Sequence, residues 1–297
     1  MSDHQAGGYY VPEPSSWPIV GSAALALLMS GLVMWSNDIS PGGWLMLAGL
    51  LVLVYMMFGW FGEVIAESQS GKYNQQVDLS YRWGMSWFIF SEVMFFGAFF
   101  GALFYMRILS VPWLGEGDTN AILWEGFKAA WPTAGPLGAE NIGYGKEVAA
   151  GANQFSPMAA LGIPAINTLI LLVSGVTLTI AHWGLKKGNR AQLNFWLALT
   201  VVLGVVFLGL QVYEYQLAYA KMGLTLGAGA YGATFFMLTG FHGFHVTIGT
   251  IMLAVILVRC LKGHFQPDNH FAFEAVSWYW HFVDVVWLGL FVFVYWL

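Results

Sequence analysis

Seven stretches of the chain are apolar with few interruptions: 17–35, 44–62, 83–106, 161–183, 195–213, 231–258 and 275–297. A helix crossing ~30 Å of hydrocarbon takes about 20 residues at 1.5 Å each, so each stretch predicts one membrane-spanning helix. Trp or Tyr stands at or near one end of every stretch, where an apolar ring with one polar handle suits the headgroup layer. The runs are continuous rather than alternating, which excludes a β-barrel. Residues 1–16 are polar and carry Pro12 and Pro14. They predict a short tail rather than a cleavable signal, because no basic segment precedes an apolar one. The pattern is that of an all-α, polytopic membrane protein.

Composition agrees. Hydrophobic residues make up 58% of the 297 and charged residues only 9%, against about 25% charged in a soluble chain. With a net charge of -5 and no basic run, disorder and nucleic-acid binding are excluded. The single cysteine, Cys260, can form no internal disulfide. With seven spans, the loops after spans two, four and six share the side of the N-terminus. That side holds Lys72, Arg82, Lys186, Lys187, Arg190, Arg259 and Lys262, seven of the 11 basic residues; Arg107, Lys128, Lys146 and Lys221 lie opposite. The positive-inside rule then places the N-terminus in the cytoplasm or matrix. The outer segment 110–157, with eight glycines and four prolines, is the one extramembrane stretch large enough to fold over the helices. It could equally be a spacer. No internal repeat is evident, which weakens an inverted-repeat transporter. Gly97 and Gly101 are spaced for close helix contact.

Ionisable groups in hydrocarbon cost about 2.5–3.5 kcal/mol each on insertion scales, so each one needs a reason. Glu92 lies ten residues after Arg82 and fifteen before Arg107, about 15 Å along a span roughly 36 Å long. A carboxyl at that depth is expected neutral or hydrogen-bonded, because its ion is poorly solvated. It serves either as a proton-titrating, carbodiimide-reactive acid or as a partner for a neighbouring helix. Glu274, Ser277, His281 and Asp284 fall at i, i+3, i+7 and i+10 and make one polar stripe on the last span. Asn167, Ser174, Thr177 and Ala181 make a small, polar stripe on span four, best read as interhelical hydrogen bonding. His242 and His245, with His281, could supply three imidazoles to haem, copper or a di-metal centre; packing is the alternative, and no fourth ligand is obvious. Trp60 and Glu67 close span two while Arg259 and Lys262 close span six. Cations beside aromatics at that depth suit a phospholipid phosphate or simple snorkelling. No phosphate loop and no serine nucleophile elbow is present.

Several of these stretches together resemble one family. Ser91-Glu92-Val93-Met94-Phe95-Phe96, Gly240-Phe241-His242-Gly243-Phe244-His245-Val246, and Phe273-Glu274-Ala275 leading into Trp278-Tyr279-Trp280-His281-Phe282-Val283-Asp284-Val285-Val286-Trp287 resemble subunit three of the aa3-type cytochrome c oxidases. Ile166-Asn167-Thr168-Leu169, Ser174-Gly175-Val176, Ala181-His182, Leu210-Gln211 and Glu214-Tyr215 match as well, so the resemblance runs from Trp17 to the end.

The resemblance implies seven helices split by a V-shaped lipid cleft into a two-helix part, 17–66, and a five-helix part, 82–297, with an inner loop at 67–81. It implies structural phospholipids and no catalytic residue, haem, copper or other metal in this chain; haem a and copper belong to partner subunits. It also implies packing chiefly on oxidase subunit one and also on subunit two, with cytochrome c reached through the complex and no nucleic-acid partner. The expected role is to stabilise the active site during turnover and to support proton uptake and oxygen access in a terminal oxidase that pumps protons. Glu92 matches a carbodiimide-reactive acid, Arg259 an arginine on a lipid phosphate, and Trp60 and Glu67 positions on the other cleft wall. His242, His245, Glu274, His281 and Asp284 are expected as buried polar packing. The segment 110–157 is longer than the pattern, Trp131-Pro132-Thr133 matches it only partly, and His182-Trp183 stands where many members have paired histidines. The expected location is a bacterial inner membrane with a cytoplasmic N-terminus; the alternative is the mitochondrial inner membrane. The rival function is a proton-coupled carrier relaying through Glu92, His281 and Asp284.

Overall fold

A computed structural model describes residues 10–11, 13–116, 118–124, 127–136 and 155–297. Most of the tail 1–16 and residues 137–154 of the outer segment thus lie outside the described residues. Among the described residues seven helices are long and apolar enough to cross a membrane, and there is no β-strand. The spanning helices are α1 (Trp17–Ser36), α2 (Gly42–Gln69), α3 (Gln75–Phe104), α6 (Ile163–Lys186), α7 (Arg190–Lys221), α8 (Gly229–Leu261) and α9 (Phe271–Leu290). The short helices α4 (Val111–Gly115) and α5 (Asp118–Leu123) follow α3. Two helices run on as π-turns, α3 through Tyr105–Ser110 and α9 through Phe291–Trp296.

Most helices outrun their apolar stretches because their ends are polar and carry their own stops. Asn74 accepts from the Val77 amide to start α3, and Asn189 accepts from Gln192 to start α7, the usual use of a short amide side chain at an N-cap. The expected inner loop at 67–81 is accordingly a correction. Helix α2 continues to Gln69 and α3 begins at Gln75, leaving only a turn at 70–74.

The chain forms two compact units, Met1–Trp83 and Gly84–Leu297. In the first, α1 and α2 form an antiparallel hairpin with backbones in near contact. A Cβ built on Gly31 would lie 2.4 Å from the Met46 amide nitrogen, one on Gly42 2.4 Å from that of Trp35, and one on Gly49 2.6 Å from that of Leu28. Glycine is what that separation demands, since in lipid helix association rests on close packing. Gly97 and Gly101 have open space where a Cβ would point, so among the described residues no helix makes the close approach that their spacing permits.

In the second unit the core is aromatic and centres on α9. The Trp280 ring lies between Gly204 of α7 and Gly249 of α8, where added Cβ atoms would stand 2.9 and 2.8 Å from it. Its Nε1 donates to Ser174 Oγ of α6 at 2.9 Å. One side chain therefore ties α9 to three other helices. Residues 133–134 of the outer segment also dock on this unit. Thr133 and Ala134 carbonyls accept from the Tyr231 and Ala230 amides, 3.0 and 3.2 Å away, which satisfies N–H groups that the first turn of α8 leaves free. Gly229 precedes them at φ 71°, with Ala134 O 2.0 Å from where a Cβ would be. Only glycine fits that conformation and that approach. This part of the segment is thus a cap, not a spacer.

Candidate functional site in the membrane interior

The polar groups that sequence places inside the hydrocarbon pair with one another across helices. Glu92 of α3 and His245 of α8 share a hydrogen bond, Oε2 to Nε2, at 2.9 Å. The second nitrogen, His245 Nδ1, lies 2.7 Å from the Phe241 carbonyl. A carbonyl only accepts, so Nδ1 carries a hydrogen and one further proton is shared between Nε2 and the carboxyl. Whether drawn as acid with imidazole or carboxylate with imidazolium, the pair is neutral overall, which is what a hydrocarbon interior requires. Phe96 meets the same imidazole edge-on, with ring centres 4.9 Å apart.

His242, one turn earlier on α8, donates from Nε2 to the Val283 carbonyl of α9 at 3.2 Å and is buried. His281 instead pairs with Asp284 at 3.7 Å on its own helix. The three imidazoles therefore look in different directions, and they do not form a ligand cluster among the described residues. Asp284 Oδ2 would stand 2.6 Å from a Cβ on Gly175 of α6, so the α9 polar stripe faces α6. At the head of the stripe, Glu274 lies 3.2 Å from His270 and 3.7 Å from His182. Among the described residues, no hydrogen bond joins Glu92 to His281 or Asp284.

Ser174 and Thr177 of the span-four stripe act as the expected interhelical glue, as does Thr168 beside them, whereas the Asn167 amide has no hydrogen-bond partner among the described residues. Ser174 accepts from Trp280, Thr168 accepts from Trp287 Nε1 at 2.9 Å, and Thr177 and Thr200 share a 2.8 Å bond. The Glu214–Tyr295 bond of 2.7 Å between α7 and the end of α9 was not foreseen. The one sequence hint was an acid about three turns beyond the apolar middle of span five.

Arg259 is buried near the end of α8, its guanidinium 4.4 Å from the centre of the Phe265 ring. Its Nε has no hydrogen-bond partner and no carboxylate pairs with it among the described residues. Arg190 donates to the Phe265 carbonyl nearby. Burial, and then the charges of Arg259 and Lys262, hold His264 below its ordinary pKa. In the other unit, Trp60 is exposed and Glu67 accepts from the Tyr73 hydroxyl at 2.9 Å. Burial together with hydrogen bonds to Tyr81 and Glu67 pushes the Tyr73 pKa up.

Comparison with known proteins returns one consistent result. The family described as Cytochrome c oxidase subunit III matches residues 7–297. Proteins named cytochrome c oxidase subunit 3 are 40% identical over 294 residues in Papio hamadryas, Struthio camelus and Cyprinus carpio. Each alignment covers 99% of this chain and 98% of the relative.

Proposed function

The chain belongs to the cytochrome c oxidase subunit III family and is thus a membrane-embedded subunit of an oxidoreductase complex, and we propose that within it the chain is a non-redox, lipid-holding scaffold. One observation carries this reading: both imidazoles of α8 are committed to holding helices, His242 to α9 and His245 to α3. His245 uses both ring nitrogens on protein groups, and His242 has no second ligand group beside it among the described residues, which fits redox centres carried by partner subunits. The proposed chief partner is oxidase subunit one, with subunit two beside it and cytochrome c reached through the complex. Exposed Trp87, Phe90 and Met94 on α3 offer an apolar surface suited to such a neighbour or to lipid.

Arg259 is proposed to hold a phospholipid phosphate: it is a buried cation that lacks a protein anion among the described residues. Trp60 and Glu67 are proposed as lipid contacts of their own unit. Glu92 supports proton uptake as part of a neutral pair rather than as one step of a relay. The carrier alternative needs Glu92 linked to His281 and Asp284, and the observed partner of Glu92 is His245. The proposed location is a bacterial inner membrane with a cytoplasmic N-terminus, or the mitochondrial inner membrane.

The test is deletion of this chain. The remaining complex should keep its haem and copper and its initial rate of oxygen reduction, and should inactivate after fewer turnovers. Loss of haem or copper from the complex in proportion to loss of this chain would overturn the reading.

A further inference from the structure

A second cluster lies where α6 ends and α9 begins, on the N-terminal side of the membrane. His182 stands in the last turns of α6, His270 caps α9, and Glu274 is in its first turn. One atom of each converges on a single spot, all within 4.8 Å of one another. Both imidazoles approach the same carboxylate oxygen, His270 Nε2 to Glu274 Oε1 at 3.2 Å and His182 Nε2 to the same atom at 3.7 Å.

The hydrogens decide what this arrangement can hold. His270 Nδ1 lies 3.2 Å from the Gln266 carbonyl, so Nδ1 donates and the neutral ring presents a bare lone pair at Nε2. A short turn fixes that carbonyl through reciprocal Gln266–Asn269 backbone bonds of 3.3 and 3.2 Å. The Nε2 atoms of both histidines are buried without a hydrogen-bond partner. The bare lone pair of His270 thus faces a carboxylate oxygen, with the unpartnered His182 Nε2 beside them. A metal ion among the three atoms would give both nitrogens a partner at once.

The spacings fit a metal ion. Around tetrahedral zinc, with ligand bonds of about 2.0–2.2 Å, neighbouring ligand atoms stand about 3.4 Å apart, and the two measured edges bracket that value. The His270 Nδ1–H bond to a backbone carbonyl is the outer contact that ordinarily orients a metal-binding imidazole. We propose that His182, His270 and Glu274 form a binding site for one divalent transition-metal cation of the zinc type, with a fourth position open to water. Two imidazoles and one carboxylate suit zinc, and copper(II) would compete for the same ligands. The site is separate from the α8 histidines, and the family resemblance assigns no metal there.

The test uses the whole purified oxidase, stripped with a chelator and dialysed against buffered Zn2+, with zinc counted per haem by mass spectrometry. The parent complex should hold one zinc more than His182→Gln or Glu274→Gln, and His182→Cys, which keeps a zinc ligand, should retain it. Equal zinc in the parent and both glutamine variants would overturn the proposal. If a variant fails to assemble, zinc-edge anomalous diffraction on the unaltered complex decides. A peak bonded to both Nε2 atoms supports the site, and a Zn2+-soaked crystal without one refutes it.

Discussion

Removing either partner of the Glu92–His245 bond tests whether the neutral pair holds α3 to α8. Glu92→Ala leaves His245 Nε2 unpaired in a place where its side chain is only 10% exposed. A buried polar group stranded in this way costs about 1–3 kcal/mol. Interhelical hydrogen bonds in membranes average roughly 0.6 and reach about 1.7 kcal/mol in double-mutant cycles, because the unfolded chain finds other partners in lipid. At 2.9 Å with one shared proton, this bond belongs at the upper end, although the Glu92 side chain is 21% exposed. The expected coupling between Glu92→Ala and His245→Ala is therefore about 1–1.7 kcal/mol. Glu92→Gln should cost little, because its amide N–H still donates to Nε2, while it abolishes carbodiimide labelling and leaves proton pumping largely intact. The assay is an SDS titration of the purified complex, scored by retention of this chain, for the parent, both single variants and the double. Coupling below about 0.4 kcal/mol, within the ordinary error of additivity, would refute the bond. Lost pumping with normal oxygen reduction in Glu92→Gln would instead revive a proton relay.

Three further perturbations follow. Gly31→Ala places a methyl 2.4 Å from the Met46 backbone nitrogen, so the α1–α2 hairpin should lose about 1–3 kcal/mol; an unchanged midpoint in the same titration would count against the close approach. Trp280→Phe removes the donor to Ser174 and leaves a gap between Gly204 and Gly249. It should cost about 1–3 kcal/mol, and Ser174→Ala in that background should add almost nothing, since the hydroxyl bond is already gone. Arg259→Ala should lower the phospholipid retained after detergent purification and shorten the working life of the complex. Lys at 259 should restore it only in part, because a point charge lacks the guanidinium fork, and unchanged lipid content would dismiss the site.

The number, type and approximate limits of the spanning helices are properties of composition and period. In lipid every backbone group must be bonded within its own segment, so about 20 apolar residues have no other stable form. The sequence by itself also marked which groups needed a reason for being in hydrocarbon, since the cost of Glu92, His242, His245 and Asp284 depends on depth more than on neighbours. Partners were another matter. That Glu92 meets His245 rather than His281, and that the α9 stripe faces α6, depends on how helices are rotated and placed, which no local pattern encodes. Gly97 and Gly101 had the spacing for close contact, yet Gly31, Gly42 and Gly49 make it, because such glycines act only where a second helix arrives. For the same reason no pattern in the sequence links His182 to His270 and Glu274. His182 is separated from the other two by two whole spans, and only the tertiary structure brings one ligand atom of each to one place.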